Sequence, residues 1–282
     1  MPTRTPATLP LKPKALLMLL MLPLLAVGIL VGTESAYLLL GIGGALIANS
    51  TGAGGGVLFI PVFQRLALSP EAAVATSFAI QCFGMTTGAL AWWRYARLQR
   101  RQEAALSWQP LPKLVLLLTP ISWLGLALAH QLTPPASLEH SFALFSILLG
   151  SALLALARQV KVAATALQPW HWPLLMVTAL IGGVITAWLS VGVGELLVLL
   201  LIALRIDVRV AVACGVMVSA ATVWPGMLFS PPGSIAWPVV YLAGPGAILG
   251  AWLARRLASA LPALALKRFF AAWILLTGLL TL

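Results

Sequence analysis

Two of the chain's long apolar stretches are broken by glycine in their middles, and those breaks limit the fold more than any other feature. Eight long stretches carry no Asp, Glu, Lys or Arg: 15–33, 35–64, 72–93, 114–138, 140–157, 162–194, 210–254 and 269–282. A membrane-spanning helix needs about 20 mostly apolar residues. Stretches 15–33, 72–93, 114–138 and 140–157 each fit one helix. Stretch 210–254 fits two, with Ser230-Pro231-Pro232-Gly233 as the turn, and the last is lengthened by the apolar flank Ala263–Leu266. Stretch 35–64 instead holds Gly41, Gly43 and Gly44, then Ser50-Thr51-Gly52-Ala53-Gly54-Gly55-Gly56. Stretch 162–194 ends in Ser190-Val191-Gly192-Val193-Gly194, followed by Glu195 and more apolar sequence to Leu204. Each reads as two apolar arms of roughly 10–15 residues, about 15–22 Å long. Arms that short do not cross a hydrocarbon core of about 30 Å. The pattern is that of helices broken near the midplane, or of re-entrant hairpins.

Composition agrees with a membrane solvent. Of the 282 residues 61% are hydrophobic and 8% charged, against about 45–50% and about 25% in soluble domains. Soluble enzymes, nucleic-acid binders and disordered tails are excluded on that ground. The net charge of +11 comes from short basic groups between apolar runs, as in cytoplasmic loops. Cys82 and Cys214 lie inside apolar runs and read as small core residues, without a disulfide or metal motif. No cofactor motif and no polar catalytic set is visible, so the chain does not read as an enzyme. His130, His140 and His171 fall at predicted helix ends, where solvated or interfacial roles are expected. Trp92, Trp93, Trp108, Trp170, Trp172, Trp224 and Trp237 read as interface belts.

The positive-inside rule assigns direction. With Arg4, Lys12 and Lys14 in the cytoplasm, helix 15–33 exits and Glu34 is external. Its apolar run is too long for a signal peptide and no clear cleavage site follows, so it reads as a retained helix. Arg94, Arg97, Arg100, Arg101 and Lys113 must be internal, so helix 72–93 runs inward and segment 35–68 begins and ends outside. Arg158 and Lys161 return the chain inside, and Arg205 and Arg209 then make segment 172–204 begin and end inside. Arg255, Arg256, Lys267 and Arg268 are internal and the C-terminus is external. Every Lys and Arg is placed inside except Arg65.

The two halves also match in pieces. Gly52–Gly55 faces Gly192–Glu195, and Ala73-Val74-Ala75-Thr76 faces Ala211-Val212-Ala213-Cys214. Pro120, Leu124 and Gly125 face Pro245, Leu249 and Gly250, while Glu139-His140 faces Lys267-Arg268. The expected architecture is an all-α multispanning membrane protein with inverted repeats: about seven full helices plus two re-entrant or broken hairpins. It divides into an N-terminal helix (1–34), a first repeat (35–161) and an inverted second repeat (162–282). Inverted repeats with Gly-interrupted helices in matching places point to a secondary transporter, with its site at the repeat interface.

Candidate binding residues follow from that placement. Gly52, Gly54, Gly55, Gly56, Gly192 and Gly194 free backbone N–H groups at half-helix N-termini, which hold oxyanions without a buried cation. Ser50, Thr51 and Ser190 would add hydroxyl donors. Gln81 and Ser219 occupy matching positions one turn beyond Ser77 and Gly215, and Gln81 is the stronger candidate. Thr76, Ser77, Ser219 and Thr222 are secondary, as are Arg65 and Arg205, which sit at the ends of the second arms as snorkelling groups or anion attractors. Glu195, the only acidic residue placed deep in the membrane, reads either as a helix cap or as a proton-coupling carboxyl.

The run Gly52-Ala53-Gly54-Gly55-Gly56-Val57-Leu58-Phe59-Ile60-Pro61, followed by Ala75-Thr76-Ser77, resembles the signature of the sulfite exporter TauE/SafE family. The resemblance covers roughly 36–282. It implies a cytoplasmic-membrane anion transporter whose typical substrates are sulfur oxyanions or organosulfonates. Glu195 and Leu201 depart from it, where a full second copy would carry Gly and Pro. The partners implied are a small anion and the lipid bilayer, with room for a homodimer and none for nucleic acid. The rival readings are an anion channel of the same architecture and a membrane accessory protein without transport. For topology, a cysteine introduced at Ser137 should be labelled by an impermeant reagent from outside and one at Gln102 only from inside; labelling of both from one side would overturn the inverted arrangement.

Overall fold

A computed structural model describes residues 34–101, 108–157, 167–260 and 263–282. Helix 15–33, Arg158, Lys161 and Gln102 lie outside the described residues. Among these residues the secondary structure is helical, in ten helices: α1 (Glu34–Thr51), α2 (Gly56–Arg65), α3 (Pro70–Gln99), α4 (Leu111–Ala129), α5 (Leu138–Ala157), α6 (His171–Leu189), α7 (Val193–Ala203), α8 (Val208–Leu228), α9 (Trp237–Ala260) and α10 (Ala263–Thr281). Six of them, α3 to α6, α8 and α9, are long and apolar enough to cross a membrane. This is a multispanning all-α membrane protein.

The arms of the broken segments differ from expectation. The first arms are longer than expected, at 18 residues for α1 and 19 for α6, or about 27–29 Å. Only the second arms are short, at 10 residues for α2 and 11 for α7, or about 15–17 Å. Hydropathy does not mark where an apolar helix ends inside an apolar run. Here a left-handed residue ends it.

Short arms turn back at one repeated corner. After α2, Leu68 N–H donates to Phe63 O (3.1 Å) and Ala67 N–H to Gln64 O (3.0 Å), with Ala67 at φ +54°. After α7, Ile206 N–H donates to Leu201 O (2.9 Å) and Arg205 N–H to Ile202 O (3.0 Å), with Arg205 at φ +65°. Both are Schellman ends, which satisfy the last carbonyls of a helix. An N-cap follows each: Ser69 accepts from Ala72 N–H, and Asp207 from Arg209 and Val210 N–H. Arg205 therefore corresponds to Ala67 in backbone geometry, not to Arg65 as the sequence pairing had it.

Close helix pairs form around those corners. α1 lies on α9, where a Cβ at Gly41 would strike the Ala243 backbone and one at Gly250 the Ile42 backbone. In the same way α4 lies on α6, with Gly125 against Leu180 and Gly183 against Ser122. α5 and α10 pack antiparallel, Gly150 on Leu275 and Gly278 on Ile147. Apolar side chains gain nothing by leaving lipid tails for one another, so small residues and close backbone contact hold such pairs. α3 and α8 form the centre: 67% and 72% of their apolar windows are buried, against 33% for α4 and α6. Leu116, Trp123, Leu144 and Leu148 stay exposed, as on a lipid-facing wall. Gly183→Val should lower the unfolding midpoint in detergent more than Gly233→Ala does, because Gly233 has nothing within 4 Å and costs about 1–2 kcal/mol of left-handed strain alone. The reverse order would mean that α4 and α6 are not in backbone contact.

Two aromatic expectations fail. Trp92 and Trp108 are buried rather than interfacial; the Trp92 indole finds its acceptor inside, on Asn49 O at 2.9 Å. His171 is also buried, its Nδ1 accepting from Gln168 N–H at 3.1 Å and its ring edge-on to Trp170. The remaining charged face is held by cations over rings: Lys113 over Trp172 (4.6 Å), Arg255 over Tyr95 (5.4 Å) and Arg256 over Trp252 (3.7 Å).

Candidate hairpin-tip site

The two glycine breaks meet in the middle of the molecule. α1 stops because Gly52 turns left-handed at φ +86°, its N–H still reaching Ala48 O at 2.9 Å. α6 stops in the same way at Ser190, φ +58°, whose N–H reaches Thr186 O at 2.8 Å. A left-handed non-glycine residue is costly, and Ser190 offsets the strain through its hydroxyl, which donates to Ser77 Oγ at 2.9 Å. The caps set Gly52 on Ser190, hence Gly54 on Gly192. The repeated Gly-x-Gly letters in the sequence suggest a register two residues away, because they cannot show which residue of each break is left-handed.

Glu195 occupies the meeting point. Its Oε1 accepts from Gly54 N–H at 2.7 Å and its Oε2 from Gly192 N–H at 2.8 Å. One carboxylate thus bridges two amides that the cap register makes equivalent. The residue is 1% exposed, and among the described residues its bonded partners are backbone amides at the starts of α2 and α7. The expected cap at α7 is present as the Glu half of a capping box. The bond across to the other tip was not legible in the sequence.

Gln81 completes the contact from α3. Its Oε1 accepts from Gly55 N–H at 2.9 Å, and its Nε2 donates to Ser77 Oγ (3.0 Å), Ser190 Oγ (2.9 Å) and Ser190 O (3.2 Å). Gln81 therefore caps the first tip and binds the second. Thr186, which sequence reasoning missed, accepts from Val193 N–H at 2.9 Å; a threonine one turn before a helix break was the available signal. The tips also touch directly: a Cβ at Gly194 would strike Gly52 O, and one at Gly56 would strike Ser190 O. Beside Gly55, Phe59 and Gln81 there is no room for a water.

Other expected groups are elsewhere. Ser50 and Thr51 donate their hydroxyls back to Ile47 O (3.0 and 2.7 Å), and Thr51 Oγ1 also accepts from Ala53 N–H at 3.3 Å inside the first break. Thr76 accepts from Ala236 N–H (2.9 Å) and Thr222 bonds Ser122 (2.7 Å), both helix-to-helix ties. Arg65 and Arg205 are exposed at the far ends of α2 and α7. Ser219 is near the tip, and its Oγ is buried without a hydrogen-bond partner among the described residues. Gln81→Leu leaves the Gly55 amide and the Ser190 carbonyl without their partner. The expected loss is about 2–6 kcal/mol, at about 1–3 kcal/mol for each of these two buried groups, read by denaturant titration in mixed micelles; an unchanged midpoint would make Gln81 idle.

No curated protein and no solved structure matches the chain. The sequence profile of the sulfite exporter TauE/SafE family matches residues 37–281, which takes in both tips and every helix that supports them. The chain belongs to the sulfite exporter TauE/SafE family.

Proposed function

We propose that the protein is a secondary transporter that moves a small anion across the cytoplasmic membrane, by alternating access to a site between the two hairpin tips. Sulfite, a related sulfur oxyanion or an organosulfonate is the substrate class. The observation that carries this reading is the single carboxylate shared by Gly54 and Gly192 N–H. That carboxylate is an oxyanion already held by backbone amides and the positive ends of two half-helices. A free oxyanion would accept from the same pair, with the Gly55 amide and Gln81 beside it. Gly52, Gly56, Gly194 and Ser190 shape the space, while Ser77 and Ser219 are the nearest further hydroxyls.

The reading takes the repeats as inverted, 35–161 and 162–282 after the helix 1–34. The corner that occurs twice, after α2 and after α7, supports this, as do the matched pairs α1 on α9 and α4 on α6. The N-terminus is then cytoplasmic and the C-terminus external. Direct contact between the tips favours a transporter over an open channel.

Glu195 must leave the amides before an anion can take them. Protonation accomplishes this, since a neutral carboxyl is a poorer acceptor than a carboxylate and keeps no charge for the dipoles to hold. Arrival of a proton on Glu195 and arrival of the anion between the tips are thereby linked. Glu195→Gln in proteoliposomes should retain sulfite binding, lose its pH dependence and lose proton-driven accumulation. Unchanged coupling would return Glu195 to a structural cap. A thermal-shift panel of sulfite, thiosulfate, sulfate, sulfonates and small carboxylates identifies the substrate, since ligand at a hundred times its Kd stabilises by about 2.7 kcal/mol.

A further inference from the structure

A cavity of about 340 Å³ opens between α3, α4, α6 and α8, on the face where α3 begins. Its wall includes Phe78, His130, Ala187, Trp188, Gly226 and Ser230. Two of its lining residues neighbour tip residues in the chain: Phe78 follows Ser77, Trp188 lies two residues before the break at Ser190, and the Ser77 and Ser190 hydroxyls are bonded at 2.9 Å.

The register that sets Gly52 on Ser190 and Ser69 on Asp207 also sets Asn49 on Ala187, Gly88 on Gly226 and Trp92 on Ser230. In one half, Ala187, Gly226 and Ser230 stand around a cavity. In the other, their counterparts pack into one another. The Asn49 side chain lies directly on Gly88, where a Cβ would overlap it, and donates to Ala45 O at 2.8 Å. Trp92 is 0% exposed, with its indole N–H on Asn49 O at 2.9 Å. Tyr95 meets Trp92 edge-on at 5.9 Å, Trp108 meets Tyr95 at 5.5 Å, and Arg255 lies over Tyr95. Arg255 is the residue that falls on His130 when Pro120 is set on Pro245.

We infer that the cavity is the vestibule through which the anion reaches the tips from the face where α3 begins, and that Trp92, seated on Asn49, is the stopper of the matching vestibule on the opposite face. This rests on the transporter reading, in which the site opens to one side while the other is closed. The sequence makes the two vestibules unequal: small residues leave one empty, and Asn49 with Trp92 fills the other. Trp92 lies about three turns beyond Gln81 along α3, on the side away from the open cavity. The stopper is mechanically tied to the tip, because Asn49 precedes Gly52 by less than one turn of α1. Rotation of the first tip therefore moves the carbonyl on which Trp92 rests.

The test uses the full chain with Cys82→Ala and Cys214→Ala, in right-side-out and inverted membrane vesicles, and a charged, impermeant methanethiosulfonate. Ala187→Cys should react at least tenfold faster from the face where α3 begins than from the other. Saturating sulfite should slow that reaction, and completed modification should cut sulfite flux at least tenfold. Ala251→Cys, which matches the vestibule residue Leu126 and is 0% exposed, should stay inert until Trp92→Ala is added, and then react from the opposite face. If Trp92→Ala does not fold, Trp92→Phe keeps a ring without the bond to Asn49 and should still raise reactivity at Ala251→Cys. No reaction at Ala187→Cys, equal rates from both faces, or an Ala251→Cys already reactive beside intact Trp92 overturns the inference, as does unchanged reactivity in both Trp92 variants. Absence of flux for any anion in the unsubstituted protein defeats the transporter reading, whereas flux that survives full modification at Ala187→Cys defeats the vestibule alone.

Discussion

Two half-helices that start at the same point bring two positive dipole ends and two sets of unpaired amides together, and a single carboxylate makes that arrangement tolerable. Each helix start leaves its first N–H groups without intrahelical acceptors. Water would satisfy them at a surface, but the tips leave no room for water beside Gly55 and Gln81. Glu195 supplies two oxygens and one negative charge to Gly54 and Gly192. Gln81 supplies a further oxygen to Gly55, and Thr186 one to Val193. The four acceptor oxygens come from three places in the chain, on α7, α3 and α6, so the tips are correct only when those helices and α2 are all in place.

The rest of the fold can be read as support for that junction. α3 and α8 carry the residues that reach the tips and are the most enclosed spans. Around them, α1 on α9 and α4 on α6 sit at backbone contact through Gly41, Gly250, Gly125 and Gly183. Such contact is rigid because a carbonyl, unlike a side-chain end, cannot move aside. A helix break that must not drift is therefore set on helices that cannot slide. The Schellman corners after α2 and α7 finish the work by fixing where each short helix turns into the next span.

Much of this was legible before any coordinates. Charge-free runs bound the spans well, since Lys and Arg cannot stay in hydrocarbon, and the glycine clusters marked both breaks. The lengths of the arms were not legible, because no change of hydropathy separates α6 from α7. Nor was the register of the breaks themselves, although Ala73 on Ala211 and Gln81 on Ser219 already gave it for the helices that follow: Ser190 does in the second break what Gly52 does in the first, and serine carries no sequence mark of a left-handed conformation. Ser50 and Thr51 donate elsewhere than to the tips for a related reason, although Thr51 Oγ1 accepts from Ala53 N–H in the first break. A hydroxyl near a helix end has a local acceptor one turn back, and both take Ile47 O. Trp92 misled because tryptophan near a basic loop usually sits at the interface, and nothing in the sequence announces the Asn49 carbonyl that draws it inside.

The corrected register also explains why the halves must differ. Glu195 corresponds to Val57, Gln81 to Ser219 and Asn49 to Ala187. The Gly54 and Gly192 amides face one position between them, and one carboxylate has two oxygens for two amides. A second Glu in place of Val57 would bring two carboxylates to the same pair of donors, and like charges at that separation cannot both stay ionised. No Glu at all would leave both buried amides without that acceptor. In the transporter proposed above, whose site would lie between two repeats, one built-in occupant has to be encoded by a single half. The valine opposite Glu195 is as much a part of that junction as the glutamate.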